Sequence, residues 1–464
     1  MRGLAVLAVA LALSACSLPL PGLATLTQEE VFEAAKPAVV IVETINEVTW
    51  SVPQPALTPQ KEQQLRDRLV AMVRAGQLAN TQAAIGQAAA RLLSDSPGAW
   101  FTAGGQRHQQ TDMVYSVGSG FLVTEDGYLL TNDHVVETSE DEVKQQILDE
   151  LDKESGDPQK LASFRDDLSR GLAIPITADQ AGRILRWIAG VSRADVRVSS
   201  IRPTYRIGFG SMSAKDVQAS GLPVELVAHG EVAPGRDVAV LKASGGPYVS
   251  LATGSGLPDR GTGLSVVGYP CRCGSGAALD LGHLLTPVLT AGTARERVPM
   301  SGGWTALGTD APIERGNSGG PVLDGSGRVV GLATFSDAGG TGRASLRSFA
   351  VPIEVAMDLT SKARVQPAQG ALGRQYAQAV AAFHEQRYRA ALPLFEQVAA
   401  SSARNPYVQR YVDESQAAIA AGRDQTPPPI VDVLPWAAIA VGVIGAVVAA
   451  MLFAARRRRR LARF

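Results

Sequence analysis

The chain is poor in cysteine and in aromatic residues and carries no net charge, and each shortage narrows what it can be. Only three of 464 residues are cysteine, Cys16, Cys271 and Cys273. They are too few and too oddly spaced for a disulfide framework, and they lack the second half of a zinc site. Aromatic residues make up 5% and charged residues 19%, yet 45% of the chain is hydrophobic, enough for packed cores, so disorder throughout is excluded. The length allows one large domain with attachments, or two to three domains of ordinary size. The zero net charge conceals an asymmetry, because Arg2, Arg456 to Arg460 and Arg463 sit in terminal segments without acids. Setting those seven aside leaves 37 basic against 44 acidic residues. A body with that negative balance has no basic patch to neutralise phosphates, which argues against a nucleic-acid partner.

Long apolar runs are missing except at the two ends. After Arg2, Leu4 to Ala15 is apolar but too short to span a bilayer, and it has the shape of an export signal. Leu13-Ser14-Ala15-Cys16 resembles a bacterial lipobox, in which Cys16 would be lipidated and become the new N-terminus. Residues 1–16 are therefore read as a signal peptide with a lipobox, the alternative being an ordinary signal peptide with an unmodified cysteine. At the other end Val433 to Ala455 is 23 residues without a charge, roughly 34 Å as a helix and enough to cross a membrane. The five arginines that follow would hold residues 456–464 in the cytoplasm and leave everything before Val433 outside, with Trp436 at the outer interface. The expectation is a single-pass protein of the cell membrane, its body on the extracytoplasmic side.

Between these ends the pattern changes several times. Pro37 to Glu43 is rich in β-branched residues and reads as a buried strand. Residues 50–112 read as a helical insertion, with Thr58-Pro59 as cap and first helical position and Leu65, Leu69, Met72 and Val73 on one face. Val117 to Val123, the Asp126-Gly127 turn and Tyr128 to Thr131 read as a hairpin. A second helical insertion, residues 138–191, is acidic, with eleven acids against five bases over residues 137–170. Short strands between glycine-rich turns return from Val196 to Glu354, the pattern of an all-β sandwich or barrel. Residues 371–422 are helical again, and 423–432, with Thr426-Pro427-Pro428-Pro429, form a stiff linker. Within the helical tail Tyr388, Ala391, Phe395 and Pro406 follow the spacing of a degenerate tetratricopeptide unit that begins near Tyr376.

Three short motifs carry the chemistry. They are Thr131-Asn132-Asp133-His134-Val135-Val136, Arg236-Asp237-Val238-Ala239-Val240-Leu241 and Gly316-Asn317-Ser318-Gly319-Gly320-Pro321. Peptide hydrolysis needs a nucleophile, a base titrating near neutrality, a group that fixes the base's tautomer, and donors for the oxyanion. Ser318 would attack, His134 would take and return the proton, Asp237 would orient the imidazole, and the amides of Gly316 and Ser318 would bind the oxyanion. The order histidine, aspartate, serine is that of the chymotrypsin-like barrels and differs from subtilisins and α/β-hydrolases. The other histidines, His108, His229, His283 and His384, are read as surface or core residues. Cys271 and Cys273, two residues apart, are given no role.

With these residues in view, GSGFLVTEDGYLLTNDHVV (118 to 136), DVAVLK (237 to 242), TDAPIERGNSGGPVLDGSGRVVGLATF (309 to 335) and SFAVPIE (348 to 354) resemble the trypsin-like serine proteases of the HtrA/Deg type. The resemblance covers about residues 37 to 45 and 113 to 360. It implies a trypsin-like domain over residues 31–360 interrupted by the two insertions, ATP-independent endoproteolysis, and a role in envelope protein quality control or regulated cleavage. It also implies a primary specificity pocket at Pro312 and Ile313, with a small or medium aliphatic residue before the cut. Three features depart from the family. His134 and Asp237 are 103 residues apart, Asp133 places an extra negative charge beside the base, and no PDZ domain is evident after Glu354.

The expected fold class is mainly β: a chymotrypsin-like double β-barrel with two helical insertions, a helical tetratricopeptide-like segment and one transmembrane helix. The expected function is a membrane-anchored extracytoplasmic serine endopeptidase with protein or peptide substrates and no metal or organic cofactor. A homo-oligomer formed through the helical insertions or the tail is a further expectation. The alternative is a latent or non-catalytic scaffold of the same fold that binds protein partners.

Overall fold

The structure is a computed structural model that describes residues 26–102, 105–271, 282–337, 347–402 and 404–427, together with Val448 and Met451. The chain divides into two compact units, one of residues 1–373 with 404–406 and the other of residues 374–403 with 407–464.

The first unit opens with helix α1 (Gln28–Ala35), which starts in a capping box where Thr27 and Glu30 satisfy each other's backbone amides. A single turn of 3₁₀ helix then leads into β1 (Val39–Pro53). The strands of the first barrel are β1, β4 (Arg107–Leu122), β5 (Tyr128–Thr131), β6 (Arg197–Phe209), β8 (Leu222–His229) and β9 (Ala239–Ala243). They close in the order β1-β4-β5-β9-β8-β6, all antiparallel. Val40, Ile41, Phe121, Leu130, Val240 and Ile207 have no solvent exposure. The second barrel closes in the order β10 (Gly263–Gly268), β12 (Val288–Pro299), β13 (Thr305–Thr309), β16 (Arg347–Pro352), β15 (Val329–Asp337) and β14 (Pro321–Leu323). Leu264, Val266, Ala294, Leu307, Val322 and Ala350 fill it. Helix α10 (Ile353–Lys362) follows β16 directly.

The two barrels fit the expected chymotrypsin-like arrangement, but the description "mainly β" is corrected, because 42% of the residues are helical. The physical reason is that the helices of both insertions share one core of their own. Those of the first insertion are α2 (Pro59–Arg74), α3 (Gln82–Asp95) and α4 (Pro97–Trp100). The second contributes α6 (Glu140–Gly156), α7 (Pro158–Leu172) and α8 (Ala178–Ala194). Leu65, Leu69, Leu93, Phe101 and Ile184 bury one another, with Phe164, Leu168 and Trp187 packed against them. Side-chain caps at Thr58, Thr81, Ser139, Asp157 and Thr177 satisfy amides that begin five of these helices.

The first insertion is also less helical than expected. β1 and β4 stay paired from Val39 opposite Phe121 out to Pro53 opposite Arg107, a ribbon longer than the barrel needs. Its alternating residues Val48, Trp50 and Val52 are buried against Val143 and Ile147 of α6, so the acidic helix covers the ribbon's apolar face.

Among the described residues no helix is long and apolar enough to cross a membrane. The expected span, 433–455, lies outside the described residues apart from Val448 and Met451, as do the signal segment and Cys16.

In the second unit α11 (Ala371–His384), α12 (Tyr388–Ser401) and α13 (Val408–Ala420) carry an aromatic core. Phe395 stacks on Tyr411 with ring centroids 4.8 Å apart, and Tyr376 meets both rings edge-on.

Candidate active site

The three motifs of the sequence lie at the ends of barrel strands. His134 sits in α5 (Asp133–Val136), a single helical turn after β5. Thr44 of β1 donates its hydroxyl to the Val135 carbonyl at 2.7 Å, and Asn46 donates to the Thr138 hydroxyl at 3.0 Å. These two bonds tie the turn to the barrel wall. Asp237 comes just before β9 and is 1% exposed. Its Oδ1 accepts from the His134 amide at 3.0 Å and its Oδ2 faces Nδ1 of the ring at 2.8 Å. Asn132 donates to the Asp237 backbone carbonyl at 2.7 Å.

With a carboxylate on Nδ1, the proton of the neutral ring belongs there and Nε2 is left to accept one. Burial pulls the His134 imidazole down, but the Asp237 hydrogen bond and charge, helped by Glu142 and Asp133, outweigh it and hold the ring above its ordinary pKa. Burial likewise pushes Asp237 up, and the His134 ring, the Thr334 hydroxyl and the His134 amide together bring it below the usual carboxylate range.

Ser318 lies in the loop before β14. Its hydroxyl donates to the Thr334 carbonyl at 2.8 Å, and among the described residues no bond joins it to His134. The loop is pinned on both sides. Ser119 accepts from the Tyr269 amide at 2.9 Å, donates its hydroxyl to the Gly316 carbonyl at 2.6 Å, and gives its own amide to the Ser318 carbonyl at 2.8 Å. The Gly319 amide reaches the Ala333 carbonyl at 2.8 Å. Gly316 has φ +89°, and a Cβ there would come within 2.2 Å of the Tyr269 carbonyl. Only glycine fits this turn. The amides of Gly316 and Ser318 have no intramolecular partner among the described residues.

Thr334 is the residue that reading the sequence does not single out. Its hydroxyl donates to Oδ2 of Asp237 while its carbonyl holds Ser318. The only sequence signal for it is its place on β15, which flanks the serine loop. His229, read as a surface or core residue, is exposed, and its Nδ1 lies 3.0 Å from Oδ1 of Asp133. Pro312 is exposed, and Ile313 is buried in the core of the second barrel. Cys271 is disulfide-bonded, and its amide donates to the Arg315 carbonyl at 2.7 Å, beside Gly316. The other two cysteines lie outside the described residues.

Parts of the chain are similar to known proteins. Residues 118–332 match the family described as the trypsin-like peptidase domain. A probable periplasmic serine endoprotease, DegP-like, of Pseudomonas fluorescens is 33% identical over 131 residues, 28% of this chain and 25% of that protein. A protein of the same description from Halomonas elongata is 27% identical over 251 residues, 54% of this chain and 35% of that one. The chain thus spans well under half the length of these relatives. A crystal structure of the serine endoprotease from Yersinia pestis aligns with 73% of this chain and 66% of its own, at 15% identity and a TM-score of 0.34.

Proposed function

We propose that this chain, whose residues 118–332 form a trypsin-like peptidase domain of the HtrA/Deg type, is a serine endopeptidase acting on proteins or peptides through Ser318, His134 and Asp237. The observation that carries the reading is the buried Asp237 carboxylate, which meets the His134 amide, the His134 ring and the Thr334 hydroxyl at once. An acceptor so arranged does what a base-orienting group must do. It fixes the tautomer and stabilises the imidazolium that forms when the base takes a proton.

In this mechanism the Ser318 hydroxyl leaves the Thr334 carbonyl by rotation about χ1 between staggered wells and gives its proton to Nε2 of His134 as Oγ attacks the carbonyl carbon. The oxyanion that develops is bound by the amides of Gly316 and Ser318. His134 then returns the proton to the leaving amine, and an acyl-enzyme forms on Oγ. Water attacks that ester with His134 again as base, and the proton goes back to Ser318 as the acid departs.

An extracytoplasmic location, and proteins of the cell envelope as substrates, are part of the proposal. They are supported by the relatives' descriptions as periplasmic endoproteases and by the export-like segment before Cys16. One observation favours a second reading, the latent scaffold: the Ser318 hydroxyl is engaged by Thr334 rather than by the base.

Fluorophosphonate labelling of the protein beside Ser318→Ala, with casein cleavage in parallel, separates the two. Labelling and cleavage that both vanish in Ser318→Ala are expected. A folded wild-type protein that neither labels nor cleaves would leave the scaffold standing.

A further inference from the structure

We propose that His229 is a positioning residue for the catalytic base: through Asp133 it sets the charge beside His134. The inference rests on the reading of His134 as general base.

The geometry is a pair of crossed contacts. Asp133 and His134 are consecutive, and their partners, His229 and Asp237, bracket the connection between β8 and β9. Asp133 faces His229 at 3.0 Å while His134 faces Asp237 at 2.8 Å. The connection is tight, because His229 lies opposite Ala239 in the ladder and the Gly230 amide donates to the Val238 carbonyl at 2.8 Å. The Asp133 side chain is 2% exposed, that of His229 44%. Only the histidine of this pair therefore reaches solvent.

The surroundings make Asp133 an uncomfortable charge. Burial raises its carboxyl above the usual range against the pull of His229, and Asp237 and Glu137 add to the rise. Tyr205 of β6 lies in the same field, its phenol pushed up to about 12 by burial and then by Glu137 and Asp133. From α6, Glu142 acts on His134. On its open side His229 borders a cleft of about 470 Å³ also lined by Glu231, Arg236, Asp358 and Lys362. There Asp358 pairs with both Arg236 and Lys362.

A buried carboxylate among like charges is stabilised by a cation at hydrogen-bond distance. When His229 is protonated it cancels the field of Asp133 at His134, and His134 gives up its own proton more readily. When His229 is neutral, the Asp133 charge stands uncompensated next to the base and favours the imidazolium. His229 thereby keeps the base unprotonated to lower pH than the carboxylates alone would allow.

The test is a pH titration of the full chain carrying Ser318→Ala, with the five histidines labelled at Cε1, followed by NMR and assigned by single substitution. In His229→Gln, which keeps a donor to Asp133 but cannot charge, the His134 midpoint is expected to rise by about one pH unit, the effect of one unit charge roughly 12 Å away at an effective dielectric near 20. In Asp133→Asn the His134 midpoint is expected to fall. A His134 midpoint within about 0.2 pH unit of its original value in His229→Gln, with the remaining histidine resonances unchanged, overturns the proposal. If His229→Gln fails to fold, Asp133→Asn decides, and an unchanged His134 midpoint there overturns it as well. In the protein with Ser318 intact, the acid limb of kcat/KM should move as the His134 midpoint does. Because the titration needs no turnover, an inactive protein would sink the protease reading without deciding this one.

Discussion

The hydroxyl of Thr334 donates to Oδ2 of Asp237, the oxygen that also faces Nδ1 of His134. Through its carbonyl the same residue holds the hydroxyl of Ser318 at 2.8 Å. A strand of the second barrel therefore orients the aspartate of the first and parks the nucleophile. Thr334→Val keeps the shape and the carbonyl but removes the hydroxyl. A lost hydrogen bond to a buried carboxylate is worth about 1.5–3 kcal/mol, so kcat/KM should fall roughly ten- to hundredfold with the far-UV circular dichroism unchanged. Steady-state hydrolysis of casein-derived peptides checks this, and full activity would show that Thr334 does nothing for the aspartate.

Asp237→Asn should lower kcat by about 10⁴, because an amide on Nδ1 favours the wrong tautomer. It should also alter acid stability. The carboxyl of Asp237 lies below the usual range in the folded chain. Its contribution to stability is therefore present above the unfolded value near 3.9 and is lost as pH falls through the folded one. Urea unfolding at pH 7 and pH 3 should show a smaller loss on acidification in Asp237→Asn than in the wild type.

Gly316→Ala should disable the oxyanion loop. At φ +89°, with the Tyr269 carbonyl 2.2 Å from the added Cβ and the Cys271 amide 2.8 Å away, the turn must move. Displacing one oxyanion donor costs about 10²–10³ in kcat. Fluorophosphonate labelling rates are expected to drop by a similar factor, and a rate equal to wild type would remove Gly316 from the site.

Glu43 offers a test of stability away from the chemistry. It is fully buried on β1, one carboxylate oxygen accepts from Gln218 at 2.7 Å, and Oε2 has no partner among the described residues. Burial raises its pKa to about 7, against the pulls of Gln218 and Arg206. Because the folded value exceeds the unfolded one, the protonated acid stabilises the fold below about pH 4.5, and that contribution is lost as pH rises from there to about 7. Glu43→Gln should remove this dependence and be more stable than wild type at pH 8 by roughly 2–3 kcal/mol. Denaturant midpoints at pH 5 and pH 8 check it.

Leu93 and Ile184, from different insertions, are both fully buried in the same helical core. Leu93→Ala should therefore loosen both insertions together. A cost of about 2–5 kcal/mol is expected, read as faster amide exchange across α2, α3 and α8. Loss of protection confined to α3 would show that the two insertions are separate bodies.

Much of the chemistry was legible from local pattern. A glycine-flanked serine, a histidine after a strand and an aspartate before another are short motifs, and their types and order say what reaction they suit. The structure brings His134 and Asp237 into direct contact across 103 residues and anchors the Ser318 loop on Thr334. Thr334 itself was illegible, because a threonine inside an apolar strand looks like any other barrel residue until the second barrel is set against the first. The burial of Ile313 was illegible for a similar reason, because its place near Ser318 in the chain does not say where barrel closure sends its side chain.

The sequence by itself determined the strand ends that carry the reactive groups, the capped helices and the turn at Gly316, since each depends on residues close along the chain and on backbone conformations that few residue types adopt. Tertiary structure alone decided that two insertions make one helical core, that Asp133 is matched by His229, and that Ser318 rests on the carbonyl of the residue that holds Asp237. Those relationships join residues distant in the chain, and only the closure of two barrels supplies the burial that gives such contacts their strength.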